Sequence, residues 1–456
     1  MSSNLKVNTI LPSTGDTVAI SGIVSATNGA TFSGIITGTS FSGTVPSSSL
    51  SGALPALDGS ALTGVGIGSD GSVNTSGIIT ATTFVPTNGQ LSHRNIIING
   101  AMKIAQRQLS DVSSTNGYRC VDRFRHTSTG LDNPPTHAQV DIDAGTTPYT
   151  LGFRKSYRIT NGNQSNGAGA DDRFQTQYSF EAQDIANSGW NYTSSSSFIT
   201  LSFWVKSSVP QNFFGFLQTL DGTSQIFPFQ TGSLVADTWT KIIVKAPGNS
   251  NLQIDNDNDI GLKILWDLFE GTNLTDSGVT LNQWGAYSAT AKTPDQTPTW
   301  YTTNNARFEL TGVQLEVGSA ATPFEHRSFV EELRRCQRYF HKSGDIGTNN
   351  EWFPGVATHA NHGACPAPCL DGDQDRAYHQ SSFPVLMRAN PTLTFYPART
   401  GLSNTAGNVS KYNGNVMVAL NTQPSSSPSR FTGYFATATT HPAFTFQYTA
   451  NAELST

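Results

Sequence analysis

The stretch 260-IGLKILWDLFEGT-272 places an apolar residue at every second position from Ile260 to Leu268 and ends in a glycine turn. This spacing is typical of a β-strand that buries one face. The stretches 198-FITLSFWVKSS-208, 238-TWTKIIVKAPG-248 and 306-ARFELTGVQLEVG-318 have the same character and lie between clusters of Gly, Pro, Asn and Ser. Enough such segments follow residue 95 to predict a jelly-roll β-sandwich over residues 95–327.

Composition favours an all-β chain with more than one domain. The 456 residues exceed one ordinary domain, and charged residues make up 13% of them, against roughly 25% in an average soluble protein. The net charge of −5 does not show the excess of basic residues that is typical of nucleic-acid-binding proteins. No stretch approaches the ~20 apolar residues of a membrane span. The start lacks the pattern of a secretory signal, and four cysteines do not make a disulfide scaffold, so we expect folding in a cytoplasm.

Residues 21–94 predict a repeated shaft. An apolar residue, Ser or Thr, and Gly recur five times, with spacings of 12, 9, 9 and 12 between the glycines. Glycine turns between short strands would produce this grid, and several copies of the chain could bury the apolar column along a common axis. The simplest arrangement is an intertwined homotrimer; a flexible linker is the alternative. The predicted shaft core consists of Ile20, Phe32, Phe41, Leu50 and Leu62.

One helix is predicted, over residues 328–343. Ser328 can cap it, Glu331 lies three residues further on, and Gly344 stands past its end. Its predicted apolar face consists of Phe329, Leu333, Cys336 and Phe340. Either this face meets two other copies at the trimer axis, or the helix packs on its own sandwich. From residue 344 to 456, short strands predict a second, smaller β-domain at the tip.

Several phrases resemble one family of viral proteins. The stretches 95-NIIINGAMKIAQRQ-108, 118-YRCVDRF-124 and 311-TGVQLEVGSAATPFEHRSFVEELRRCQRYF-340 are similar to recurring phrases of bacteriophage tail fibres, above all those of cyanophages and other marine phages. The sandwich resembles carbohydrate-binding modules. The resemblance implies that residues 1–20 attach the chain to a baseplate or tail protein of the virion. It also implies that the fibre binds a bacterial surface glycan.

Aromatic residues in loop-like context are the candidates for binding that glycan. Aromatic rings stack on sugar faces while neighbouring polar groups read the hydroxyls. The predicted contacts are Trp190, Trp300, Tyr301 and Trp352. Burial in the core is the alternative for each.

Two sets of residues have the chemistry of metal ligands, although no cofactor is required by the predicted function. A zinc-like set contains His359, His362, Cys365 and Cys369, in a spacing that departs from the usual two pairs. A calcium-like set contains Asp255, Asp257 and Asp259. A polar loop and a solvated turn, respectively, are the alternatives.

The sequence favours binding over catalysis. It contains no GxSxG, HExxH or phosphate-loop motif, and no pair of carboxylates is marked by its spacing. The expected function is receptor binding by a homotrimeric tail fibre in the virion. A passive structural fibre and a glycan-cleaving tailspike are the alternatives.

Overall fold

A computed structural model describes part of the chain, which divides into two units, Met1–Thr82 and Thr83–Thr456. The described residues all belong to the second unit: 92–343, 365–368, 376–397, 408–411, 417–419, 425–436 and 443–454. The predicted attachment segment and shaft, with Ile20, Phe32, Phe41, Leu50 and Leu62, lie outside them. None of the helices in these ranges has the length and hydrophobicity needed to cross a membrane.

Strands dominate the described residues, which confirms the all-β prediction. The described ranges contain four short helices, which are α1 (Thr147–Thr150), α2 (Ala182–Ala186), α3 (Thr299–Thr302) and α4 (Phe329–Gln337). The strands up to α4 are β1 (Ser110–Val112), β2 (Gly117–Tyr118), β3 (Phe124–Thr129), β4 (Thr136–Asp141), β5 (Lys155–Thr160), β6 (Arg173–Glu181), β7 (Phe198–Ser207), β8 (Asn212–Thr219), β9 (Gln225–Ser233), β10 (Thr240–Pro247), β11 (Ile260–Glu270), β12 (Gly285–Ala286) and β13 (Arg307–Val317).

These strands form two antiparallel sheets. Sheet A has the order β1-β4-β5-β13-β7-β10, and sheet B has the order β12-β9-β8-β11-β6-β3-β2. The alternating side chains of β11 point Leu262, Ile264 and Trp266 into the main core. There Trp266 of sheet B meets Phe203 of sheet A edge to face, with ring centroids 5.7 Å apart. Contacts of this kind between the inner faces make the two sheets a β-sandwich.

The remaining strands form two further sheets. They are β14 (Phe340–Lys342), β15 (Cys365–Pro368), β16 (Arg376–Ser382), β17 (Thr392–Pro397), β18 (Asn408–Lys411), β19 (Met417–Ala419), β20 (Ser425–Ser426), β21 (Arg430–Ala436) and β22 (Ala443–Asn451). Strands β14, β15, β17 and β18 all pair with β22, and β19 pairs with β18. Strand β21 pairs with β16 and β20.

Helix α4 begins as predicted and ends earlier. The Ser328 hydroxyl accepts a hydrogen bond from the Glu331 N–H at 3.2 Å. The helix ends at Gln337, because Phe340 lies in β14 and pairs with Asn451 of β22. The prediction of a helix to residue 343 was therefore wrong. The predicted apolar face is also divided: Cys336 is buried, Leu333 is half-buried, and Phe329 is 51% exposed.

The segment from Asn95 to Gly100 lies against β13. The Val313 N–H donates to the Gly100 carbonyl at 2.9 Å, and the Asn95 side chain accepts a hydrogen bond from the Leu315 N–H at 3.1 Å. A Cβ at Gly100 would lie 2.0 Å from the Val313 oxygen. Only glycine allows this approach, so two of the quoted phrases are packed on each other.

A buried polar cluster, here called the junction, ties the sandwich to the residues that follow α4 and β22. The Gln106 amide donates to Asp122 at 2.5 Å and to the Phe340 carbonyl at 2.7 Å. Arg123 forms an ion pair with Glu453, and both side chains are buried. The junction consists of Gln106, Arg107, Asp122, Arg123, Tyr339, Phe340 and Glu453.

Candidate functional site

The aromatic residues expected at the surface are inside the sandwich. Trp190 is 3% exposed, and Trp300 and Tyr301 are fully buried. Helix α3 carries Trp300 against Phe174, with ring centroids 5.5 Å apart, while the Tyr301 hydroxyl donates to Asp172 at 2.9 Å. The expected exposure of all three was wrong: α3 carries Trp300 and Tyr301 into the core, and the Trp190 indole N–H donates to the Ser197 carbonyl at 3.4 Å. Trp352 lies outside the described residues.

The calcium-like set is not arranged around an ion. The Asp257 carboxylate accepts the Asp259 N–H at 2.9 Å, and an Asp259 oxygen lies 3.7 Å from Arg388. Within the described ranges, no group of three or more His, Cys, Asp or Glu could hold a metal. Of the zinc-like set, His359, His362 and Cys369 lie outside these ranges, and only the backbone of Cys365, in β15, is described.

The outer face of sheet B carries polar side chains that are largely buried. Since Leu262, Ile264 and Trp266 point inward, Lys263, Leu265 and Asp267 of β11 point outward. Strand registers place further side chains beside them on the same face. We call this set the polar face: Arg125 and Thr127 of β3, Gln175, Gln177 and Ser179 of β6, Lys263, Leu265 and Asp267 of β11, and Phe214, Phe216 and Gln218 of β8.

Gln177 occupies the middle of the polar face. It lies between Leu265 on β11 and Arg125 on β3 in the register. Its side chain is 4% exposed, and its Nε2 has no hydrogen-bond partner among the described residues. A buried amide without a partner costs about 1–3 kcal/mol. An acceptor that enters from outside the chain would remove this cost.

Two cations stand beside Gln177. Burial and, to a smaller extent, the nearby positive charge of Arg125 together lower the pKa of Lys263 to about 8. Burial also lowers the pKa of the Arg125 guanidinium. The Arg125 Nη1 donates to the Thr127 hydroxyl at 2.9 Å, which fixes the side chain along β3. This part of the polar face therefore presents positively charged donors.

A carboxylate pair lies at the other end of the polar face. The Gln175 amide donates to Asp267 at 2.7 Å and to Glu270 at 3.1 Å. Lys292 pairs with Glu270 at 2.5 Å. Burial raises the pKa of both carboxyls, and the neighbouring Glu270 raises that of Asp267 further, while Lys292 opposes the rise at Glu270. Burial therefore favours the protonated form of Asp267 more than that of Glu270, whose ionised form Lys292 stabilises.

Apolar and aromatic groups flank these polar residues. Phe216, Leu265 and Ile226 form a small cluster on the outer side of sheet B. Tyr287 follows β12 at the edge of this sheet, where its N–H donates to the Ser224 carbonyl at 2.9 Å. Its ring is 39% exposed, and partial burial and then the charge of Glu270 raise the pKa of its hydroxyl. The partly exposed ring of Tyr287 thus lies at the edge of the sheet that carries the polar face.

Sequence reasoning missed the polar face, although its strands were predicted. The alternation in β11 already assigned Lys263 and Asp267 to the side opposite Trp266. Which residues of β3, β6 and β8 join them depends on strand order and register. The composition of one strand does not contain that information.

Comparison with known proteins gives only weak similarities. No protein-family model and no curated protein matches the chain. Among solved structures, the tailspike protein 4 enzymatically active domain of bacteriophage CBA120 has a TM-score of 0.27 and 10% identity over 49% of this chain. The match covers 21% of that tailspike chain, so this protein spans about a fifth of it.

Two carbohydrate-related structures are similar to a comparable degree. A putative sugar binding protein from Bacteroides thetaiotaomicron has a TM-score of 0.26 and 10% identity, over 49% of this chain and 99% of that one. The xylan-binding domain of Paenibacillus barcinonensis Xyn10C has a TM-score of 0.22 and 14% identity, over 48% and 98%. Similarities this low carry no argument about this chain, and its function has to be inferred from the polar face itself.

Proposed function

We propose that the sandwich binds a saccharide on the polar face of sheet B. The observation that carries this proposal is the buried Gln177 Nε2, which has no partner in the described part of the chain. A sugar hydroxyl is an acceptor of the right size and can receive this hydrogen bond. Lys263 and Arg125 add donors beside it, and the Tyr287 ring offers an apolar surface for a sugar ring.

Binding to an array of immobilised polysaccharides tests the proposal. The labelled full-length chain is expected to bind at least one polysaccharide saturably, and Gln177→Ala is expected to weaken that binding about tenfold, the loss of one buried hydrogen bond. Gln253→Ala is the matched control, because Gln253 is an exposed amide outside the polar face. Equal affinities of the two variants would contradict the assignment of the site.

The same measurement separates binding from cleavage. The proposed act is non-covalent, so incubation with the bound polysaccharide should release no reducing ends. Release of reducing ends that Asp267→Asn abolishes would instead identify a glycan-cleaving protein with the Asp267–Glu270 pair at its centre.

The biological role that we propose is that of a phage tail fibre. The quoted phrases that resemble tail fibres support this role, with the N-terminal segment on the virion and the sandwich directed to a bacterial surface glycan. Saturable adsorption of the full chain to susceptible cells, competed by their isolated surface polysaccharide, is the expected result. A folded chain that binds no susceptible host would favour the passive structural fibre.

The fibre proposal includes a homotrimer, and one surface of the described residues supports association. On α4, Phe329 is 51% exposed and Val330 is 58% exposed, and Leu386 is 63% exposed. Val330 and Leu386 line one surface depression, so they share an apolar patch, and larger patches of this kind mark association sites. Multivalent display would raise the avidity of weak single sites. Sedimentation of the full chain at the mass of three copies is the expected result, and a monomer would contradict it.

A further inference from the structure

A cleft of about 590 Å³ lies beside the polar face and is lined by arginines. It is bounded by β2 and its neighbours on the sandwich, and by residues near β17 and the end of β22. Arg107, Arg119, Arg125 and Arg388 contribute to its wall, and Glu453 is the one carboxylate among its lining residues. Four guanidinium groups against one carboxylate give the wall a positive charge.

Neighbouring acids neutralise the wall only in part. Glu453 is already paired with the buried Arg123. Asp259 lies 3.7 Å from Arg388, but its side chain is 83% exposed, so solvent screens the pair. Asp111 contacts Arg119 at 3.4 Å. Asp122 lies 3.8 Å from Arg107, so this contact and that of Asp111 are both longer than the ~2.7–2.9 Å of a charge-assisted hydrogen bond.

The arginines are held in place before any ligand arrives. Arg107 stacks over the Phe340 ring, with its guanidinium carbon 3.8 Å from the centroid, and contacts Glu453 at 3.3 Å. Arg388 donates to the Ala452 carbonyl at 2.8 Å and to the Asn258 carbonyl at 2.7 Å. Fixed guanidinium groups lose little side-chain entropy on binding, so they suit the recognition of planar or tetrahedral oxyanions.

Two donors in this wall are buried and make no hydrogen bond to the residues that the structure describes, Arg107 Nη1 and Arg119 Nε. The Asp122 carboxylate lies 3.8 Å from Arg107 Nη1, which is an ion pair beyond hydrogen-bond distance. An unsatisfied donor on a charged group is costly. An anion in the cleft would supply the missing acceptors.

We propose that this cleft binds an acidic group, a carboxylate or a sulfate ester, on the saccharide that occupies the polar face. Arg125 belongs to both the cleft wall and the polar face, so one chain of sugars can reach both. The inference rests on the proposed function and narrows its ligand to an acidic polysaccharide. The cleft volume fits one or two sugar residues and their substituents, whereas a nucleic-acid duplex needs an open surface.

The test compares polysaccharides that differ only in charge. Dextran sulfate is paired with dextran, and polygalacturonate with its methyl ester, each titrated against the full chain. The acidic member of at least one pair should bind at least tenfold more tightly, and the pair that shows the difference identifies sulfate or carboxylate as the preferred group. Equal affinity within both pairs would overturn the inference.

Variants assign that preference to the cleft. Arg119→Gln should reduce binding of the acidic member about tenfold and leave the neutral member unchanged. Arg307→Gln is the control, since Arg307 is an exposed arginine of sheet A paired with Asp237. Gln177→Ala should weaken both members. Equal affinity of Arg119→Gln and Arg307→Gln for the acidic polysaccharide would overturn the cleft as the site. If Arg119→Gln lost affinity and Gln177→Ala did not, the cleft would remain the site and the polar face would be contradicted.

Two further measurements keep the result decisive. If Arg119→Gln does not fold, titration of the wild-type chain with sodium sulfate replaces it. Inorganic sulfate should then raise the Tm and compete with the acidic polysaccharide, and the absence of both effects would overturn the inference. If a single-stranded oligonucleotide displaced dextran sulfate at equal charge concentration, the ligand of the cleft would be nucleic acid, and the proposal of an acidic saccharide would be wrong.

Discussion

The junction and the polar face are both buried and rich in polar side chains, and they differ in how their central groups are paired. In the junction, the central groups meet partners of the same chain, Arg123 with Glu453 and Gln106 with Asp122, while Gln106 Oε1, Arg107 Nη1 and Arg123 Nε make no hydrogen bond within the described ranges. On the polar face, the central amide of Gln177 has no acceptor within the described ranges. The first arrangement fixes one packing of chain segments, and the second leaves a place for a group from outside.

This difference bears on how the resemblance to tail fibres is interpreted. The phrases that carry it supply Asn95, Gly100, Asp122 and Phe340, which belong to the junction or to the packing of its neighbours on β13. These residues hold the sandwich together with the residues that follow α4 and β22. A similar phrase in another chain would therefore indicate a similar connection between domains, and it would leave the ligand open.

The largest expected effect comes from breaking the junction with Glu453→Gln. The substitution leaves the buried Arg123 charge without its partner, and breaking a buried ion pair costs about 3–5 kcal/mol. Arg123 keeps its hydrogen bond to the Ser179 carbonyl at 2.7 Å and its position over the Tyr339 ring, which limits the loss. Calorimetry of the full chain should show a clear fall in the Tm of the sandwich.

Asp237→Asn provides the control for this substitution. It breaks the ion pair with Arg307, in which both side chains are substantially exposed. Exposed pairs contribute about 0–1 kcal/mol, so the Tm should change little. Equal shifts in the two variants would mean that the junction does not hold the sandwich.

The sequence was sufficient for the parts of the fold that depend on local pattern. Apolar residues at every second position predicted β11 and the sandwich, and Ser328 with Glu331 predicted the start of α4. The end of that helix depends on Phe340 pairing with a strand more than a hundred residues away. Such pairing overrides local helical preference, and a window of sequence does not record it.

The candidate site was less accessible to sequence reasoning for a related reason. Trp190, Trp300 and Tyr301 lie in polar, loop-like stretches, yet α3 and the loops carry them into the core. Gln177, in contrast, lies in a strand that reads as ordinary. Its role follows from having Leu265 and Arg125 as cross-strand neighbours, which only the order of the strands determines.

A medium-sized effect is expected on the polar face with pH. The pKa of Lys263 is lowered to about 8, so its ammonium is charged at pH 6.5 and largely neutral at pH 9.5. If that charge contributes to binding, polysaccharide affinity should fall roughly tenfold over this range, which corresponds to about 1.4 kcal/mol. Lys263→Ala should bind weakly at both pH values.

Lys241→Ala is the matched control, because Lys241 is an exposed lysine on β10 of sheet A. It should keep the wild-type affinity and the wild-type dependence on pH. Wild-type affinity that is constant from pH 6.5 to 9.5 would remove Lys263 from the binding site and leave Gln177 as its centre.

The smallest effect is expected at Asp267, where removal of the charge should stabilise the fold, whereas removal of the Glu453 charge in the junction should destabilise it. Because the folded-state pKa of Asp267 is raised above its unfolded value near 3.8, its contribution to stability is present at low pH and is lost as pH rises through the folded value. The side chain of Asp267→Asn cannot ionise. Its free energy of unfolding should therefore equal that of the wild type near pH 4 and exceed it by about 1 kcal/mol near pH 8. Glu270→Gln should instead destabilise at pH 8, since it removes the partner of the buried Lys292 at 2.5 Å. If both variants lowered the Tm at pH 8, Asp267 would be ionised and paired in the fold, and the polar face would satisfy its charges internally, as the junction does.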